Sequence, residues 1–193
     1  MQDNNLKSRD IMRKYLELPE ERRAELLDGV IVDMAPTSIA HVRVCGNILL
    51  QLLNYLFGKR CEVFSHIGIQ FRMDEPLPTL LIPDITVVCD RKKIKPQGIV
   101  GVPEFIIEVL SPSNAGYDTI IKLDRYMREG VKEYWIADPA EKKVYVFHKD
   151  KNPHFAAVYD RQDKITVTVL DGFEIDMSTV FTEEIIEEDI EGE

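Results

Sequence analysis

A chain of 193 residues, 45% hydrophobic and 30% charged, has the size and balance of one globular domain and is short for two. No apolar run approaches the roughly 18 residues that span a bilayer, and the polar start MQDNNLKSRD is unlike a secretory leader, so membrane and export classes are set aside and the cytoplasm is the expected compartment. The net charge of −10 excludes a histone-like binder held by unspecific phosphate attraction, but not an enzyme acting on DNA: seven of the acids lie between Glu183 and Glu193, and the rest of the chain carries about −3.

In chain order, an amphipathic helix is expected over about Ser8 to Leu16. The apolar flanks of Asp28-Gly29 in AELLDGVIVDM announce a hairpin. Pro36, Thr37 and Ser38 make a helix start, and Cys45, Ile48, Leu49, Leu52, Leu53 and Leu56 recur at three- and four-residue steps, so a helix runs to about Phe57 and Gly58 ends it. Strands follow near 61–71, 82–89 and 104–110. A second helix is expected over roughly 115–129, capped by Ser111, Ser113 or Asn114 and closed by Gly130. EYWIADP and KKVYVFH read as a strand pair, with further strands near 155–159 and 165–170 extending one edge of the sheet. The expectation is an α/β domain over residues 1–182, a central mixed sheet flanked by helices with extra C-terminal strands, and an acidic tail over 183–193. Cys45, Cys61 and Cys89 are odd in number and far apart, and read as reduced, small hydrophobes rather than as a disulfide or zinc set.

Glu108 interrupts the buried strand EFIIEVL. An ionised carboxylate there is neutralised, paired or holding a cation, because burying it alone costs several kcal/mol. Asp84 follows Pro83 at the start of another strand. If the two strands pair, the acids converge at one end of the sheet, and such a pair suits Mg²⁺. On spacing alone, acids that are solvated or paired with a nearby base are the commoner arrangement.

PDITVV, IIEVLSPS, the D-x-x-x-K of Asp118 to Lys122, Tyr126 and GVKEYWIADP, in that order, resemble the Uma-two family of restriction-endonuclease-like proteins, related to the PD-(D/E)XK nucleases. LPEERRAELLDGVIVDMAP with His41 is similar to the family's N-terminal signature, and the likeness runs from about Leu18 to Phe147. The resemblance implies a restriction-endonuclease-like core and a Mg²⁺- or Mn²⁺-dependent endonuclease, with DNA the expected substrate. It implies Asp84 and Glu108 as metal-binding catalytic acids, Lys122 as the catalytic lysine in place of the one the superfamily has where Leu110 stands, and Glu25 as a further acid, with His41 matching a family histidine. Nucleases of this fold often act as dimers, so a homodimer is allowed; an exposed edge strand could mediate it, but the sequence identifies no surface.

Periodicity alone reads differently at three of these positions. Lys122 falls with Asp118 and Arg125 opposite Ile120, where a solvated face or a 118/122 ion pair is the plain reading. His41 lies on the core stripe of its helix as a satisfied edge histidine, and Glu25 either faces the site or caps local structure. His66, His148 and His154 have no ligand-like spacing. RKKIK at 91–95 is a solvated loop or, beside a metal site, a phosphate contact. A catalytically inactive nucleic-acid-binding or regulatory protein on the same fold is the alternative function, and a third is an interaction protein that docks a basic partner through its acidic tail.

Overall fold

The computed structural model describes residues 2–19, 21–34, 36–72, 76–111, 117–151 and 155–182, with 2–6 and 117–120 as backbone only. Helix α1 (Gln2–Leu16) starts earlier than its amphipathic stretch suggests. Strands β1 (Ala24–Leu27) and β2 (Val30–Asp33) form the expected hairpin, with both turn residues at positive φ (Asp28 47°, Gly29 79°), as a two-residue turn between twisted strands requires. Helix α2 (Ile39–Leu56) begins where Ser38 accepts a hydrogen bond from the His41 N–H, and Gly58 follows its end at φ 71°.

The stretch expected as one strand near 61–71 is two. β3 (Glu62–Ser65) stops at His66, whose φ of 51° turns the chain, and β4 (Ile69–Gln70) continues in another sheet. The next stretch divides likewise into β5 (Leu80–Leu81) and β6 (Ile85–Val88), separated by Pro83. β7 (Ile94–Lys95) and β8 (Gly98–Val100) make a short basic hairpin, and β9 (Phe105–Val109) is the strand that carries Glu108. Helix α3 (Tyr117–Glu129) crosses to β10 (Glu133–Asp138), which pairs with β9 in parallel and with β11 (Lys143–His148) antiparallel. β12 (Ala157–Asp160) extends that edge as expected, whereas β13 (Lys164–Thr166) and β14 (Glu174–Asp176) correct the expectation by pairing only with each other. The proposed caps Ser113 and Asn114 lie outside the described residues, as do residues 183–193 of the acidic tail.

Two six-stranded sheets result. The central one runs β12-β11-β10-β9-β6-β3, and the smaller-stranded one β2-β1-β5-β4-β8-β7. One face of the central sheet packs Ile85, Val87, Phe105, Ile107 and Trp135 against α2 and the β13–β14 segment. Val88, Ile106, Tyr134 and Ile136 on its other face meet Tyr126 of α3 and the second sheet's Ile69 and Ile99. A strand buried on both faces explains the apolar run of β9, which Glu108 alone interrupts, and that of β10. Among the described residues no helix is long and apolar enough to cross a membrane.

Cys61 and Cys89 are joined in a disulfide, which corrects the expectation of reduced cysteines. The β3–β6 ladder sets Glu62 opposite Val88, so its next positions are the two sulfurs, a neighbourhood that a separation of 28 residues hides. Cys45 is free and buried, as expected.

A buried ion network clips the second sheet to α3. Arg125 reaches Asp28 at 2.6 Å and Glu129 at 3.0 Å, Arg72 reaches Glu129 at 3.0 Å, and the Thr79 hydroxyl donates to Asp28. Both the Arg125 and Glu129 side chains are almost wholly enclosed. Replacing Arg125 leaves the enclosed Glu129 with the exposed Arg72 as its one cation among the described residues, so Arg125→Met is expected to lower stability by about 2 kcal/mol in urea unfolding, more than Arg13→Met on exposed α1.

Candidate active site

The register of β6 and β9 pairs Ile85 with Ile107, so one further step sets Asp84 opposite Glu108. Side chains directly opposite share a face of the sheet, here the face covered by α3 and the second sheet. Both acids line one cleft of about 90 Å³, together with Glu25, His41, Lys122 and Tyr134. A space of this size holds a few waters or a hydrated ion, not a nucleotide.

Asp84 is pinned from three directions. The Val109 N–H donates to its Oδ2 at 2.7 Å, His41 Nε2 lies 3.2 Å from the same oxygen, and His66 Nε2 lies 3.3 Å from Oδ1. Burial works against the Asp84 charge, but the bonds from His41, His66 and Val109 outweigh it and hold the carboxyl well below the usual carboxylate range. The Cys45 sulfur sits 3.8 Å from His41 Nδ1. Burial, with Asp84 and Glu108 nearby, pushes the Cys45 thiol far up, so it keeps its proton. A thiol donating to Nδ1 leaves the hydrogen on Nε2, the tautomer that donates to Asp84.

Glu108 has the opposite balance. Burial pushes its carboxyl up, Lys122 pulls it down, and Asp84 and Glu25 push it up again, with the result at about 7. Its Oε1 accepts from Lys122 Nζ at 3.1 Å and from the Tyr126 hydroxyl at 2.9 Å. Lys122 also reaches Glu25 at 2.8 Å, and Glu25 accepts from the Ile82 N–H at 2.7 Å. Burial opposes the Lys122 charge, yet Glu108 and Glu25 hold the ammonium firmly protonated.

The structure thus brings Asp84, Glu108, Lys122, Glu25 and His41 round one cleft. Lys122 does not lie on the solvated face that the helical wheel suggests: its side chain is only 15% exposed, because the second sheet covers the polar side of α3. Asp118 falls outside the described side chains. RKKIK follows the far end of β6 from Asp84, so it is not beside the cleft; there Arg91 pairs with Glu62 and Lys93 with Glu104. His66, given no role from spacing, is one step beyond the Ser65–Ile85 pair of the β3–β6 ladder and so comes opposite Asp84. Its signal would have been that ladder, which spacing alone does not disclose. Arg23 at the cleft mouth and the Tyr134 hydroxyl on its wall are further residues that the sequence did not single out. Tyr134 is fully buried, and its hydroxyl has no hydrogen-bond partner among the described residues.

Residues 12–178 match the Uma2 family, described as "Putative restriction endonuclease". The chain is 26% identical over 157 residues to "Uncharacterized protein slr1290" of Synechocystis, covering 79% of this chain and 81% of that protein. It is 27% identical over 171 residues to "Uncharacterized protein sll1609" of the same organism, covering 86% and 90%. Its fold is similar to the crystal structure of a "putative nuclease belonging to DUF820" from Anabaena variabilis, with a TM-score of 0.73 and 19% identity over 88% of this chain and 96% of that one.

The raised Glu108 carboxyl gives a stability signature. A folded-state value of about 7 against an ordinary 4.5 means that the stability Glu108 contributes is fully present below about pH 4.5 and is lost as pH rises through about 7. In chelator, the melting temperature of the wild type is expected to fall relative to Glu108→Gln across that window; a pH-independent difference would mean that Glu108 ionises like a free carboxylate.

Proposed function

The chain belongs to the Uma2 family, and from that premise we propose that it is a divalent-metal-dependent endonuclease that hydrolyses phosphodiester bonds in DNA. One observation carries the reading: of the four carboxylates that line a small cleft, Asp33 is exposed and pairs with Arg22, whereas Asp84, Glu108 and Glu25 are enclosed with Lys122 as the one ammonium among them. Burial, reinforced by Asp84 and Glu25 and opposed by Lys122, pushes Glu108 up to about 7, and a divalent cation would favour its charged form.

The donor chemistry fits Mg²⁺ or Mn²⁺, which take hard oxygen ligands and keep several waters. Asp84 and Glu108 would hold the ion. His41, Cys45 and Asp84 also bring ligand atoms within 4.8 Å of one another, but the Cys45 thiol keeps its proton, which makes that set the poorer cage. When bound, the ion supplies Lewis-acid polarisation of the scissile phosphate and a lower pKa for attacking water.

The remaining work falls to the chain. Lys122 Nζ, steadied by Glu25, supplies positive charge where negative charge develops on the phosphate. His41 and His66 fix Asp84 in orientation and in its ionised form, as the hydrogen-bonding partners around a metal ligand do. Arg23 at the cleft mouth contacts the phosphate backbone and sets register without reading bases.

Asp84→Ala, Glu108→Gln and Lys122→Ala are each expected to reduce Mn²⁺-dependent cleavage of DNA by on the order of a hundredfold or more. Calorimetry separates their roles. Glu108→Gln should weaken Mn²⁺ binding sharply, Lys122→Ala should lose turnover while still binding the ion, and binding below pH 7 should release a proton from Glu108. Absence of Mn²⁺ binding, with and without DNA, would leave the ring as a structural network and favour a binding protein without turnover.

A further inference from the structure

The outward face of α2 is apolar where a surface helix is ordinarily charged. Ile39, Val42, Gly46, Leu50, Leu53 and Phe57 are all exposed, at steps of three and four residues, so they form one continuous seam along the whole helix. Asn54 is the one polar side chain in the exposed set, and no charged residue belongs to it. Ile39 is 78% and Phe57 90% exposed, an unusual state for the two ends of a helix in solvent. Together the five apolar side chains leave on the order of 600 Å² bare, at the upper end of what a typical monomer exposes in one patch and approaching the roughly 800 Å² that each partner of a stable dimer buries.

The seam is complementary to itself. Two antiparallel copies of α2 crossing near residue 48 put Ile39 against Phe57 of the partner subunit, Val42 against Leu53 of the partner subunit, and Gly46 against Leu50 of the partner subunit. Large meets small at the centre. A Cβ at Gly46 would meet nothing within 4 Å, so the fold of one subunit gives no steric reason for a glycine in mid-helix, where it is disfavoured. A notch for a facing Leu50 gives one. Each end of the seam also has its hollow. A recess of about 440 Å³ lies beside Ile39 and Val42, lined also by Thr37 and Arg43, and another of about 330 Å³ lies beside Leu53 and Phe57. Charge points the same way: half-buried Arg43 is the one Lys, Arg, Asp or Glu of α2, so with −10 on each chain two copies repel over most of their surface and least across this helix.

We propose that α2 is the isologous dimer interface of this protein, with a second copy of the chain, antiparallel across a two-fold axis, as its occupant. The inference rests on α2 alone and stands or falls independently of the nuclease reading. An edge strand offers less: β12 itself presents Val158 as its one large exposed apolar side chain, with Phe155 just before it.

Sedimentation equilibrium of the full chain tests it. The wild type is expected at twice 22.2 kDa. Leu50→Glu puts an unpaired charge at the crossing and should weaken association by on the order of a hundredfold or more, giving 22.2 kDa. Gly46→Arg is a second, sharper probe: it should leave the circular-dichroism melting of the subunit intact or improved, because arginine favours a helix over glycine, yet abolish the dimer. Removing residues 183–193 should leave the dimer in place. A wild type that sediments as a monomer, or a Leu50→Glu variant that stays dimeric, would overturn the proposal. So would a chain that dimerises only after those residues are removed, which would make the acidic tail the natural cover of α2.

Discussion

The ammonium of Lys122 stands where three parts of the chain meet. It comes from α3, reaches Glu108 on the central sheet at 3.1 Å, and reaches Glu25 on the first strand of the second sheet at 2.8 Å. The second sheet could not lie over α3 and β9 with Glu25 and Glu108 facing each other alone, since two buried like charges disfavour each other by several kcal/mol at that depth. One cation between them turns a repulsion into a clasp. The Arg125–Asp28–Glu129 network repeats the device a turn further along α3. The polar side of the helix is therefore what attaches the second sheet, while its apolar side faces Tyr134 and the core.

A comparison of two buried glutamates shows what is particular about the cleft. Glu133 is fully buried at the other end of the central sheet, and its oxygens accept from Trp135 Nε1, the Thr168 hydroxyl and the N–H groups of Thr168 and Val169. Those donors are neutral, satisfy both carboxylate oxygens, and tie β10 to the segment after β13. Glu108 instead shares its lysine with another acid and stands opposite a third. The same residue type, on adjacent strands, is structurally complete in one case and electrostatically unfinished in the other.

The distinction was partly legible in the chain. Pro83 and the strand pattern of β9 put Asp84 and Glu108 at strand ends, but their convergence rested on a pairing of the two strands that the sequence left conditional, with β7 and β8 between them. The three- and four-residue rhythm of α2 and the Asp28-Gly29 turn were plainer, because each signal is local. The second sheet was not legible: strands of two or three residues such as β4, β5 and β7 are too short to carry a period. From that miss follow the others. Without the second sheet, the polar side of α3 looks like a face for water, and Lys122 and Arg125 look solvated. His66 was hidden for a related reason, since a residue in the left-handed region at a strand end breaks the alternation that would have shown where it points.

Asp84 and Glu108 also divide their properties by environment and not by residue type. Asp84 receives hydrogen bonds from two histidines and a backbone N–H, all of which favour its charge. Glu108 receives a lysine that it must share, and lies under Tyr126 and Tyr134, whose own hydroxyls burial keeps protonated. The result is one carboxylate fixed in its charged form beside another poised near neutrality, the kind of separation that lets neighbouring acids take different parts in one site. The separation is built into secondary structure. The Val109 N–H that fixes Asp84 belongs to the residue after Glu108, so any shift of β9 that moved one acid would also change the hydrogen bonding of the other.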